Sequence, residues 1–113
     1  MSQAPQPAER HLPAVLAIDG GNSKTDVAIV AGDGTVLAEV RGPGASHEAL
    51  GMERAMSALG EMVGAAARKA GLAADGSSPV AVHASACLAG ADLPEEEEQL
   101  GAKMAAQGWS LTS

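Results

Sequence analysis

Asp19-Gly20-Gly21-Asn22-Ser23-Lys24-Thr25-Asp26 is the stretch on which the reading of this 113-residue chain turns. Apolar runs flank it, Ala14-Val15-Leu16-Ala17-Ile18 before and Val27-Ala28-Ile29-Val30-Ala31 after. Both runs are short, rich in Val and Ile and bounded by turn formers, so both read as strands. The octet is then the loop of a β-hairpin, and it is longer than the two residues of Asn-Gly type that would close one. It holds two glycines, three small polar side chains, one cation and a carboxylate at each end. Gly20 and Gly21 can take positive φ and leave N–H groups pointing into the loop. Successive N–H groups of that kind form an anion nest, to which the hydroxyls of Ser23 and Thr25 and the ammonium of Lys24 add donors. Such a loop suits a phosphate tail, with Asp19 placed to hold Mg²⁺ directly or through water. The same residue types also make ordinary turns, so both readings stand on chemistry alone. Two other phosphate loops are excluded. A Walker A loop needs Gly directly before Lys, where Ser23 stands. Gly42 and Gly44 begin a dinucleotide fingerprint, but His47 occupies its third glycine position.

Outward from the octet, residues 1–13 carry three prolines and no apolar period and read as a disordered leader. Residues 14–113 read as one domain. Gly32-Asp33-Gly34-Thr35 is a hairpin turn into a third strand over residues 36–41. There Val36, Ala38 and Val40 face one way and Leu37, Glu39 and Arg41 the other, as on an edge strand with one wetter side. Gly42-Pro43-Gly44-Ala45-Ser46-His47 is a loop in which Ser46 can cap the next helix. Residues 52–70 place Met52, Ala55, Met56, Leu59, Met62, Val63, Ala66, Ala67 and Ala70 on one helical stripe, and Gly71 supplies the stop. Gly60 and Gly64 weaken this helix by up to about 1 kcal/mol each relative to Ala, or else permit close packing on the sheet. Residues 80–86 form a fourth strand, reached through the helix and therefore parallel to a neighbour. His83 reads as a hydrogen-bonded sheet residue and Cys87 as a small buried hydrophobe. Leu88-Ala89-Gly90-Ala91-Asp92 is a strand-to-helix loop, with Asp92 and Glu95 as a capping pair and Pro94 in the first turn. The acidic run after Pro94 complements a helix N-terminus. That helix ends near Gln107-Gly108, and Trp109-Ser110-Leu111 opens a further strand.

A chain of this length forms one small domain that buries about two thirds of its unfolded surface. Its formal net charge of −7 argues against nucleic acid and anionic membrane as partners. The single cysteine permits no internal disulfide, which agrees with a cytoplasmic location. With no Phe or Tyr and one Trp, the core must come from Ala, Val, Leu, Ile and Met.

The octet resembles the first phosphate motif of the actin/hexokinase/Hsp70 ATPase superfamily. Within it the chain looks like the BadF/BadG/BcrA/BcrD-type ATPase family, which includes N-acetylglucosamine kinase. The similarity continues through Asp33-Gly34-Thr35-Val36-Leu37-Ala38-Glu39, Gly42-Pro43-Gly44-Ala45-Ser46-His47 and Leu88-Ala89-Gly90-Ala91-Asp92, over roughly residues 14–111. The resemblance implies an α/β, ribonuclease H-like N-terminal lobe, β-β-β-α-β-α, cut before its fifth strand and so exposing the edge of the fourth. It implies a phosphoryl transfer from ATP with Mg²⁺ to a sugar hydroxyl, N-acetylglucosamine first. By the same resemblance Gly20, Gly21, Asn22, Ser23, Lys24 and Thr25 hold the nucleotide phosphates and Asp19 the metal. Ser46, Gly90 and Asp92 lie on the sugar side. His47 is either a second polar contact or a solvated residue of the first turn. Relatives commonly have Asn at the position of Ser46, whose shorter reach leaves the identity of the sugar open. The resemblance puts the general base beyond Ser113, so no catalytic residue is expected within this chain, which is expected to be inactive alone. A homodimer would form through the C-terminal lobe. The alternative is a non-catalytic or decayed nucleotide-binding module completed by another chain. An ATPase activator of a radical dehydratase is disfavoured, because Cys87 alone cannot share an iron–sulfur cluster.

Overall fold

The computed structural model describes residues 12–21, 23–44, 51–72, 79–88 and 94–112. Among these residues five strands and two helices follow one another as β1 (Val15–Gly20), β2 (Lys24–Val30), β3 (Val36–Pro43), α1 (Met52–Lys69), β4 (Ala81–Leu88), α2 (Pro94–Gln107) and β5 (Ser110–Thr112). They make one mixed sheet in the order β3-β2-β1-β4-β5. The first three strands form an antiparallel meander, and β4 and β5 run parallel to β1. β3 lies at the edge, as its alternation predicts, and β4 is parallel to a neighbour, as its crossover requires.

Local chemistry explains the joints. Between β2 and β3, Gly34 has φ 92° and the Asp33 carboxylate accepts the Thr35 N–H at 2.9 Å. At the end of α1, Gly71 has φ 79°, its N–H donates to Arg68 C=O and the Leu72 N–H reaches Ala67 C=O at 2.8 Å. That is a Schellman motif, which uses carbonyls the helix leaves unpaired. The helix starts at Gly51, φ 86°, with no side-chain cap, and Ser46, read as a cap, lies outside the described residues. Lys69 at the other end donates to the Glu39 carbonyl at 2.8 Å and ties α1 to the edge strand.

The core sits between α1 and one face of the sheet. Leu16, Ile18, Val27, Ile29 and Ala38 are buried from the strands, and Ala55, Met56, Leu59, Met62, Val63, Ala66 and Ala67 from the helix, on the stripe that its spacing predicts. Val80, Ala81 of β4, Leu100 of α2 and Trp109 complete it. Neither helix glycine is there for close approach. A Cβ on Gly60 would stand 3.7 Å from the Trp109 ring, and one on Gly64 3.6 Å from Arg68, both ordinary contacts. Gly42 is tighter, since a Cβ there would meet Met62 Sδ at 3.0 Å.

Three expectations are corrected. The fifth strand is present: Ser110 pairs with Ala81 and Thr112 with His83, and the Thr112 hydroxyl donates to Val82 C=O at 3.1 Å. The edge of β4 is thus covered along its first residues. Because that hydroxyl has one hydrogen, its 3.2 Å contact with His83 Nδ1 has the imidazole as donor, and His83 is a hydrogen-bonded sheet residue. β4 also runs two residues further than expected, which carries Cys87 into the strand and leaves it exposed rather than buried. Pro13, assigned to the leader, is buried, and its carbonyl accepts the Val82 N–H at 2.9 Å. The rest of the expected leader, apart from Leu12, lies outside the described residues. Among the described residues no helix is long and apolar enough to cross a membrane.

Candidate functional site

Strand direction decides where the motifs meet. β1, β3 and β4 run one way and β2 the other, so the carboxyl ends of three strands and the start of β2 share one edge of the sheet. The register shows this directly: Gly20 pairs with Thr25 and with Leu88, and Lys24 with Pro43. The β1–β2 turn, the segment after Gly44 and the segment after Leu88 all leave from that edge. In open α/β sheets, ligands bind beyond the carboxyl ends of strands. Ser46, His47, Gly90 and Asp92 belong to those two segments and, like Asn22, lie outside the described residues.

The turn is shorter than the octet suggests. Asp19 and Gly20 end β1, and Lys24, Thr25 and Asp26 begin β2, which leaves residues 21–23 between the strands. Gly20 is extended strand backbone and Gly21 is not left-handed, so positive φ is not what these glycines provide. Gly21 is required for space instead, because a Cβ would stand 2.9 Å from Lys24 O. Its N–H donates to that same carbonyl at 2.8 Å and is therefore not a free donor to an anion. The Thr25 hydroxyl is enclosed too. Its side chain shares the covered face with Val27 and Ile29, it is 0% exposed, and Oγ1 has no hydrogen-bond partner among the described residues. An unpaired buried hydroxyl costs about 1–3 kcal/mol. Ser23 and Lys24 remain exposed at the turn.

The opposite face carries the charges. Asp19 and Asp26 are direct cross-strand partners, Arg41 stands opposite Asp26 on β3, and Cys87 stands beside Asp19 on β4. Arg41 Nε donates to Asp26 Oδ1 at 2.6 Å, and Nη2 reaches Oδ2 at 3.4 Å. This hydrogen bond, with the positive charges of Arg41 and Lys24 outweighing desolvation, holds Asp26 below the usual carboxylate range. Arg41 is shifted upward by the same contact. Asp19 is exposed, and its carboxylate has no side-chain partner among the described residues. A hollow of about 270 Å³ opens over Ala17, Asp19, Asp26, Ala28, Ser85 and Cys87.

No group of three or more ligating side chains exists among the described residues. That donor set does not make a cage for Ca²⁺ or zinc. It fits Mg²⁺, a hard cation held through one or two carboxylates that keeps water and shares its remaining positions with phosphate oxygens. Sequence reading left the Asp26–Arg41 pair unassigned. Strand alternation puts Arg41 on the wetter face, but only the β2–β3 register, which includes an irregularity at Ile29/Val30, brings it opposite Asp26.

No protein-family model matches the chain. Among solved structures it is similar to a Chromobacterium violaceum protein provisionally named as an N-acetylglucosamine kinase, with a TM-score of 0.62 and 24% identity. The match covers 80% of this chain and 31% of the other, so this chain spans under a third of that protein's length. At that identity the likeness is one of architecture: over four-fifths of its length this chain shares the mixed α/β fold of that structure.

Proposed function

We propose that this chain is part of an ATP-dependent sugar kinase, a member of the BadF/BadG/BcrA/BcrD-type ATPase family with a ribonuclease H-like lobe, and that it acts on N-acetylglucosamine. The observation that carries the reading is the convergence of the Gly21 turn with the starts of the segments bearing Ser46, His47, Gly90 and Asp92 at one sheet edge. The structural neighbour's provisional name supports the same class. In this reading Asp19 holds Mg²⁺, directly or through water, and the metal when bound screens the charge of the phosphates. Lys24 and Ser23, with Asn22, meet the phosphate oxygens from the turn. Gly21 and Thr25 serve there by shape, Gly21 by admitting the Lys24 carbonyl and Thr25 by filling the core beneath the turn. Ser46, His47, Gly90 and Asp92 are assigned to the sugar side.

Calorimetry with Mg·ADP tests the nucleotide half of this reading. Binding is expected, with a loss of about tenfold in Lys24→Ala, the scale of one charge-assisted hydrogen bond. An absence of binding, or full affinity in Lys24→Ala and Asp19→Asn together, overturns it. Because the chain alone is expected to be inactive, phosphate transfer from ATP to N-acetylglucosamine, against glucose as competitor, tests the sugar half in a longer protein that carries this chain as its N-terminal part. A second reading, a nucleotide-binding module without catalysis, is favoured by the enclosed Thr25 hydroxyl and the occupied Gly21 N–H, which leave fewer donors than a full phosphate nest. Nucleotide binding without transfer to any amino sugar, in that longer protein, is its signature.

A further inference from the structure

One rung of the sheet ladder carries Arg41, Asp26, Asp19 and Cys87 side by side on β3, β2, β1 and β4, all on the face that neither described helix covers. Directly opposed carboxylates on neighbouring strands have Cβ atoms about 4.5–5.5 Å apart, and like charges so placed repel. The two acids at this rung are treated differently. Both oxygens of Asp26 face the Arg41 guanidinium, at 2.6 and 3.4 Å, whereas Asp19 is left open to solvent. The fork adds little to stability, because the Arg41 side chain is 64% exposed and water screens the pair. What it changes is the number of carboxylates available to a cation at the head of the hairpin.

We propose that Arg41 is a positioning residue that withdraws Asp26, so that a divalent cation at the turn is held by Asp19 alone. This rests on the reading of Asp19 as the metal residue. A cation on one protein carboxylate keeps most of its coordination positions for water and for phosphate oxygens. With Asp26 also free, two anions would grip the cation and would face the incoming phosphates as well. The hollow over Asp19 and Asp26 has room for either arrangement, so geometry alone does not exclude the second acid, and Arg41 does. Cys87, on the far side of Asp19, offers a soft sulfur that a hard cation does not recruit.

The test is Mn²⁺ binding to the full chain from MnCl₂ alone, with free Mn²⁺ read by electron paramagnetic resonance. Arg41→Gln is expected to bind Mn²⁺ about tenfold more tightly than the unchanged chain, since ligand charge sets the affinity of such sites. The double variant Asp26→Asn/Arg41→Gln is expected to return to within about twofold of the unchanged chain, because the withdrawn pair takes no part in holding the metal. Equal affinity in Arg41→Gln and the unchanged chain overturns the proposal, even if both variants melt lower, since a strand staple alone predicts that pattern. A loss in the double variant as deep as in Asp19→Asn also overturns it, because Asp26 would then be a ligand. If Arg41→Gln does not fold, Arg41→Met carries the same expectation and the same overturning result. Failure of the underlying reading looks different: Mn²⁺ binding that Asp19→Asn leaves intact removes Asp19 as the metal residue, whatever Arg41 does.

Discussion

Under α1 the strands present Leu16, Ile18, Val27, Ile29 and Ala38, all buried, while on the reverse face the same strands present Asp19, Lys24, Asp26, Arg41 and the half-buried Ala17 and Ala28. The period of two along each strand makes both faces from one sequence, so every residue added to the core sets its neighbour on the other side. The covered face removes apolar surface from water and holds the fold together. The open face keeps small side chains around a row of charges and leaves room above them. Thr25 breaks the division, a polar side chain on the covered face directly beneath the turn.

Four changes sharpen or break this contrast. Leu59→Ala on α1, at 0% exposure, should destabilise by about 2–5 kcal/mol in denaturant unfolding, a cavity on the covered face. A loss under about 1 kcal/mol would show that the face is not packed as described. Gly21→Ala sits between the faces, where its new Cβ meets Lys24 O at 2.9 Å, and should cost about 1–3 kcal/mol through displaced backbone. A neutral result would mean that the turn opens freely. Thr25→Val should raise stability by about 1 kcal/mol, because it removes an unpaired hydroxyl and keeps the shape. If it instead lowers both stability and Mg·ADP affinity, the hydroxyl has a partner and the contrast between faces fails at that strand.

The smallest effect concerns acid. The folded pKa of Asp26 lies below its ordinary value of 3.8, so its pairing with Arg41 stabilises fully above that pH and is lost as pH falls through the depressed value. Asp33 behaves alike, held down first by its hydrogen bond with the Thr35 side chain. Melting temperature should therefore decline below about pH 3.8, and Asp26→Asn should flatten part of that decline. An unchanged acid limb in the variant would remove Asp26 from the account.

Much of this was legible in residue order. Alternating and continuous apolar runs located the strands, the stripe from Met52 to Ala70 located α1 with its stop at Gly71, and Gly-Asp-Gly-Thr located the second hairpin. Boundaries drifted where pairing rather than composition sets them. β1 and β2 extend through Asp19, Gly20 and residues 24–26, because the hairpin ladder continues up to the Gly21–Lys24 hydrogen bond that closes the turn. Cys87 is small and apolar enough to pass for core, and its place on the uncovered face depends on which side of β4 the helices lie.

The chain's own order determined that a glycine-bearing polar turn would join two buried strands, that a meander would precede a crossover helix, and that the core would be aliphatic. These follow from periodicity and turn chemistry, which act over a few residues. Only the tertiary structure decided that the Gly21 N–H meets Lys24, that the Thr25 hydroxyl is enclosed, and that Arg41 takes Asp26 and leaves Asp19 free. The first follows from how the hairpin closes, and the other two from strand register and from the side on which a helix covers the sheet, which contacts between residues far apart in sequence set.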